Sequence, residues 1–127
     1  MAGVTGLGGV FLRVQDPAAL AAWYRDRLGV PVQPWHGAQL FFADDRSPRE
    51  HAYAVWALFP PQTKHFGPGD QTCMVNFRVD DLEALLMKLR EGGCAVDENV
   101  MADDNGKFGW VTDPEGNRVE LWEPPHA

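Results

Sequence analysis

The sequence predicts an α+β fold made of two copies of one strand–helix–strand unit, and three observations predict it. First, a segment recurs 65 residues on. Leu12-Arg13-Val14-Gln15-Asp16 answers to Phe77-Arg78-Val79-Asp80-Asp81, Ala19-Leu20 to Ala84-Leu85, and Tyr24-Arg25 to Leu89-Arg90. Second, each copy opens as a β-favouring run and passes into a helical stripe. Third, the chain closes on a strong hairpin signal. The spacing is about half the chain, which marks duplication of one supersecondary unit. A solenoid would need a shorter period and at least three copies. Two copies can face each other and enclose a cleft, with matching positions of the two leading strands pointing into it.

The first copy begins with Val10-Phe11-Leu12-Arg13-Val14, a short strand. Asp16-Pro17 then supplies an N-cap and a proline at the first helical position. Leu20, Trp23, Tyr24 and Leu28 recur at helical spacing, and Gly29 ends the helix. Short strands are expected near 30–34, 39–43 and 52–59, with a turn at Trp35-His36-Gly37. The stretch from Pro60 to Thr72, with its prolines and glycines, joins the two halves. It is not a domain boundary, because neither half could bury its own core. A single domain over 1–127 follows, with module one at about 5–60, the joint at about 60–72 and module two at about 73–124.

The second copy repeats the plan. Met74 to Val79 is the leading strand, and Asp81 caps a helix whose stripe is Leu82, Leu85, Leu86 and Leu89. Gly92-Gly93 stop it. A short strand near 94–96 leads to an acidic stretch, 97–106, expected to be a mobile loop. The hairpin follows: 108–112 turns through Asp113-Pro114-Glu115-Gly116-Asn117 and returns as 118–123. Pairing Thr112 with Arg118 sets Trp110 opposite Glu120.

Composition narrows the function classes. At 127 residues and 45% hydrophobic the chain has enough apolar content for one core. No apolar run approaches the roughly 18 residues that span a bilayer. Met1 to Thr5 lacks the basic-then-apolar pattern of a signal peptide, so a cytoplasmic protein without membrane association is expected. A net charge of −7 argues against a nucleic-acid backbone as partner and favours a small molecule. Cys73 and Cys94, both in apolar sequence surroundings, are expected as reduced core thiols.

Alternation along the strands sorts their side chains into two faces. Val10, Leu12 and Val14 belong under the first helix, as do Val75, Phe77 and Val79 under the second. Val119 and Leu121 join that layer. The opposite face gathers Phe11, Met74, Trp110 and Trp122 with Arg13, Asn76, Arg78, Arg118 and Glu120. Aromatic walls with a few convergent polar groups describe a ligand site. The plainer alternative is a solvated sheet face, with Glu120 merely paired to an arginine. Several large apolar residues on one face weigh against it. Glu120 should be buried, and a buried carboxylate must be paired or protonated. Contact with Arg13 or Arg78 is expected.

Val10 to Asp16, the helix ending Trp23 to Gly29, Asn76 to Asp80 and the tail Thr112 to Glu123 together resemble the vicinal oxygen chelate superfamily. That group holds glyoxalase I, bleomycin-resistance proteins and extradiol dioxygenases. The resemblance covers essentially the whole chain, and the Asp113 to Trp122 tail is its most specific part. It implies two pseudo-symmetric βαβββ modules forming a curled mixed sheet around a cleft, usually completed by a homodimer. The metal ligands of metal-dependent members fall on Gly9, Met74, a position on or beside Ala57, and Glu120. Glycine and alanine carry no donor and a thioether suits hard or borderline divalent ions poorly, so no metal or other cofactor is expected. A rearranged site drawing His36, His51 or His65 to Glu120 is the alternative, and His126 lies in the tail.

Two functions remain open. One is a metal-free pocket protein of the bleomycin-resistance kind, in which Arg13, Arg78 and Asn76 grip an anionic or carbonyl group while Trp110 and Trp122 stack on an apolar body. The other is an enzyme, of lyase, isomerase or dioxygenase-like type, with Glu120 as general base and the arginines stabilising an oxyanion. A scaffold without ligand, its cleft filled, is a third possibility.

Overall fold

The computed structural model describes residues 2–41 and 53–125. Its elements run β1 (Val4–Arg13), α1 (Pro17–Leu28), β2 (Gly37–Phe41), β3 (Tyr53–Phe59), β4 (Cys73–Val79), α2 (Leu82–Glu91), β5 (Ala95–Val96), β6 (Met101–Asp103), β7 (Gly106–Thr112) and β8 (Arg118–Glu123). The class is α+β, as expected. The chain divides into two compact units, residues 9–73 and residues 1–8 with 74–127. The leading strand is longer than the expected 10–14. Its first residues, Val4 to Gly8, count with the second unit and its last with the first.

In the first unit the strand order is β2-β3-β1. β1 runs parallel to β3, with Gly9 opposite Val55, Phe11 opposite Ala57 and Arg13 opposite Phe59, while β2 is antiparallel to β3. A Cβ on Gly9 would collide with the Val55 carbonyl. The parallel pair requires a crossover, and α1 lies within it. Asp16 caps α1 by accepting from the Ala19 amide at 3.0 Å, and Gly29, at φ 72°, closes it. The expected apolar stripe is only partly inward. Tyr24 meets Trp56 at 4.6 Å between ring centroids, but Trp23 is 50% and Leu28 61% exposed, and Ala21 is the buried residue of the helix.

Two further expectations for this unit are corrected. No strand forms at 30–34, where Pro31 and Pro34 remove amide donors and only Gln33 makes a single bridge, to Gly37. The turn passes through His36 at φ 62°. The 60–72 stretch does not merely join the halves but folds onto its own unit. The Arg13 amide donates to the Thr72 carbonyl at 2.8 Å, and Phe66 is buried. The end of the expected 39–43 strand, the start of the 52–59 strand, His51 and His126 lie outside the described residues.

In the second unit the order is β1-β4-β8-β7-β5, with β6 on β7. β4 is parallel and β7 antiparallel to β8. Parallel and antiparallel pairs thus mix in both units. Leu82, Leu85 and Leu86 of α2 pack with Val79 and Leu121, the helix layer read from the sequence. Gly109 lets α2 approach closely, since a Cβ there would come within 3.0 Å of Leu86. Asp81 accepts from the Ala84 amide at 3.1 Å, and buried Glu123 accepts from the Leu82 amide at 2.8 Å. Two free amides of the first turn are thereby satisfied.

The hairpin has the expected register, Thr112 opposite Arg118 and Trp110 opposite Glu120. Its turn is held by Asp113, which accepts from the Glu115 and Asn117 amides at 2.9 Å. The 97–106 stretch is not all loop: β6 pairs with β7, Met101 opposite Phe108, and the chain turns at Gly106, φ 120°. Cys73 and Cys94 are free and exposed, not core thiols. Each sits at the edge of an element rather than within its inward face.

Candidate functional site

Pleating and register assemble one face of the second unit's sheet. Asn76 of β4, Glu120 of β8 and Trp110 of β7 stand in one row across three strands. Arg78, Trp122 and Phe108 form the next row, and Arg118 with Thr112 continues on the other side. Met74 precedes Asn76 by two residues and so shares its face. Apart from Phe108 and Thr112, which the register adds, these are side chains that alternation assigned to the face away from the helix. The face is not solvated: Met74, Asn76 and Glu120 are each at most 1% exposed, and Trp110 and Trp122 are also buried.

Glu120 holds the centre of this face. Its Oε1 accepts from Asn76 Nδ2 at 2.6 Å, and its Oε2 accepts from Trp110 Nε1 at 2.9 Å. Both donors are neutral. Hydrogen bonds to a charged group contribute about 1.5–3 kcal/mol each, which offsets part of the several kcal/mol that burying a carboxylate costs. Asn76 Oδ1, by contrast, is buried with no hydrogen-bond partner among the described residues. An unmet buried acceptor costs about 1–3 kcal/mol. It lies against the backbone of β1, where a Cβ on Gly8 would overlap it. Gly6 likewise makes room for Arg78, whose Nη2 would stand 2.7 Å from a Cβ there.

The aromatic members are held at their far ends. Trp122 donates from Nε1 to the Asn105 carbonyl at 2.7 Å and stacks on Phe108, centroids 6.3 Å apart and planes 5° apart. The Arg118 guanidinium lies over the Trp110 ring at 5.0 Å and pairs with Asp97 at 2.9 Å. The Asn99 amide and Arg118 together hold the Asp97 carboxyl below the usual aspartate range. Sequence reasoning missed Asp97, because nothing in an acidic stretch tells which carboxylate folds back onto a strand.

Phe11 and Arg13, the other site residues expected from the sequence, belong to the first unit. Phe11 is buried against Phe59 and His65, at 5.6 and 5.7 Å between centroids. Arg13 donates to the Gly69 carbonyl at 3.3 Å and lies over Phe66 at 5.1 Å. His65 stacks flat on Phe59 at 4.8 Å. This aromatic group was also missed, since Phe66 and His65 sit in a stretch read as a joint.

Within the second unit both Glu120 oxygens already accept from neutral donors, and Met74 on the same face brings only a thioether, a poor partner for hard or borderline divalent ions. Among the described residues no three of His, Cys, Asp and Glu group so as to hold a metal ion.

Residues 9–122 match the family described as glyoxalase-like domain. The chain belongs to that family. A comparison with curated proteins finds no match. Among solved structures this glyoxalase-like chain is similar to methylmalonyl-CoA epimerase from Mycobacterium tuberculosis, at 27% identity over 97% of this chain and 90% of that one, TM-score 0.65. It is similar in fold to the Streptomyces coelicolor methylmalonyl-CoA epimerase solved with 2-nitronate-propionyl-CoA, at 17% identity over 98% and 100%, TM-score 0.72. A third match is a glyoxalase/bleomycin resistance protein/dioxygenase superfamily member from Vibrio splendidus 12B01, at 15% identity over 97% and 99%, TM-score 0.59. No helix is long and apolar enough to cross a membrane, among the described residues.

Proposed function

We propose that this glyoxalase-like chain binds a small organic carbonyl compound at the Glu120 face, without a divalent metal, and that Glu120 moves a proton at the carbon beside the carbonyl. The observation that carries this reading is the Glu120 carboxyl itself, fully buried and fixed at both oxygens by Asn76 and Trp110. Fixing both oxygens sets the direction of the remaining lone pairs, and an oriented base needs little reorganisation when it reacts. In the step, the C–H bond breaks, its proton goes to Glu120, and its electron pair passes to the carbonyl oxygen as an enolate. Arg78, on the same face one row from Glu120, is the cation proposed to stabilise that oxygen. Return of that proton to the opposite face of the enolate carbon, or to the neighbouring carbon, completes an isomerisation, whereas return to the same face gives exchange alone. Trp110, Trp122 and Met74 supply apolar contact for the ligand body.

The likeness to the mycobacterial epimerase supports this class of chemistry and supplies a probe. Methylmalonyl-CoA incubated with the protein in D₂O should take up deuterium beside the carbonyl, read by NMR. Glu120→Gln should slow uptake about 10²–10⁴-fold, the usual contribution of a general base. Uptake at the wild-type rate in the variant overturns the base, and absence of uptake across acyl thioesters and 2-oxo acids overturns the isomerase reading.

A ligand-sequestering protein of the bleomycin-resistance kind is the second reading. It is favoured by the resemblance, which sets the ligand positions of metal-dependent members on Gly9, on or beside Ala57, and on Met74, and it predicts binding without exchange. Under both readings we propose a cytoplasmic homodimer. Trp23, Leu28, Trp35 and Phe41 of the first unit are exposed large apolar side chains of the kind that mark interfaces.

A further inference from the structure

We propose that the ligand of the Glu120 face carries an unbranched apolar tail of medium length, laid across the strands from Arg78 to Met101, with no second anionic group at its far end. The inference deepens the reading of the Glu120 face as a carbonyl-binding site and rests on it.

The strand register supplies the track. Arg78 of β4 stands opposite Trp122 of β8, Trp122 opposite Phe108 of β7, and Phe108 opposite Met101 of β6. Residues directly opposite one another in a sheet share a face, so these four side chains form one row on the side that holds Glu120. The sequence reads the chain around Met101 as loop, and it is β6 that extends the row by one strand. Three strand spacings separate the ends of the row, about 14 Å, which is the reach of a medium-length acyl chain.

The chemistry of the row changes in one direction. It begins at a guanidinium, which suits a carbonyl or carboxylate head. Trp122 comes next, buried and fixed, its Nε1 donating to the Asn105 carbonyl at 2.7 Å. Gly106 leaves room for that indole, since a Cβ there would stand 3.0 Å from Nε1. Phe108 is half-buried, its plane 5° from that of Trp122, and Met101 is 41% exposed. A lone exposed apolar side chain needs no explanation, but this one continues a row of two aromatics leading away from a cation. Methionine suits a flexible chain at that end, because its unbranched thioether adapts to what it touches. A ligand laid the other way would set its head against a thioether and its tail against a guanidinium.

The far end also selects by charge. Asp103 and Asp104 follow Met101 and are exposed. Lys107, on the neighbouring strand, pairs with Glu83 of α2 on the helix side. A second carboxylate or a phosphate at the end of the tail would therefore meet like charge.

The first arm of the test is binding, which needs no turnover. In protein carrying ¹³C-methyl methionine, decanoate should shift the Met101 signal saturably, and acetate should not. Met87, 60% exposed on α2, is the internal control for indiscriminate apolar contact, and its signal should stay in place. The second arm is deuterium uptake from D₂O into pyruvate, 2-oxohexanoate and 2-oxodecanoate. Its kcat/KM should rise about twofold per methylene, the fold-change for half the burial free energy of a methylene. Met101→Asp should flatten that rise. Equal shifts at Met87 and Met101, or a silent Met101, overturn the proposal, and so does a rise that Met101→Asp leaves intact. Glu120-dependent uptake that ignores chain length sinks the tail alone. A saturable Met101 shift in a protein that exchanges none of the three acids sinks the isomerase reading alone.

Discussion

At the scale of single residues, the face around Glu120 depends on side chains that are missing as much as on those present. Gly6 and Gly8 of β1 leave the space into which Arg78 and Asn76 extend. Gly8→Ala would set a methyl group against Asn76 Oδ1, and either the strand or the amide must move. The expected outcome is a loss of about 1–3 kcal/mol in urea unfolding, the usual cost of overpacking, together with loss of the Asn76–Glu120 hydrogen bond. A variant as stable as the parent, with the amide unmoved, would show that the strand yields freely there. Glycine in a strand ordinarily weakens it, so its use at two alternate positions on one face has a local reason.

At the scale of elements, the ion pair of Asp97 with Arg118 ties the chain just after β5 to β8. The Asn99 amide first, and Arg118 second, hold the Asp97 carboxyl below its ordinary value. A carboxylate depressed in the folded state stabilises it above the unfolded value of about 3.9, and that contribution disappears as pH falls through the folded value. Asp97→Asn should therefore be less stable than wild type near pH 7. The gap should close in acid, as measured by urea unfolding across pH. A gap that stays constant with pH would remove the carboxylate's charge from the account. The variant also tests whether the place of Arg118 over Trp110 needs the ion pair.

At the scale of the whole molecule, the duplicated plan is carried by two parallel strand pairs, β1 with β3 and β4 with β8, each followed through by a helix with an aspartate cap. The homodimer proposed above belongs to this scale. Sedimentation at micromolar concentration should show twice the 14.1 kDa chain mass, and Trp23→Glu should lower that mass. A single 14.1 kDa species in wild type would count against the dimer.

The sequence by itself determined the repeat, the caps at Asp16 and Asp81, the hairpin register and the α2 stripe. The caps, the register and the stripe rest on patterns within about a dozen residues, where periodicity and turn chemistry decide, and the repeat is read by setting segments 65 residues apart side by side. It also placed Met74, Asn76, Arg118, Glu120 and Trp122 on one face, because alternation in a strand is local. Only the tertiary structure decided the rest. Trp23 and Leu28 face outward although their spacing is helical, since burial depends on what packs above a helix. Pro60 to Thr72 returns to its own unit through Phe66, and Asp97 finds Arg118 across 21 residues. Neither follows from local pattern. Of the partners of Glu120, Trp110 was legible from the hairpin register, whereas Asn76 lies 44 residues away and was not.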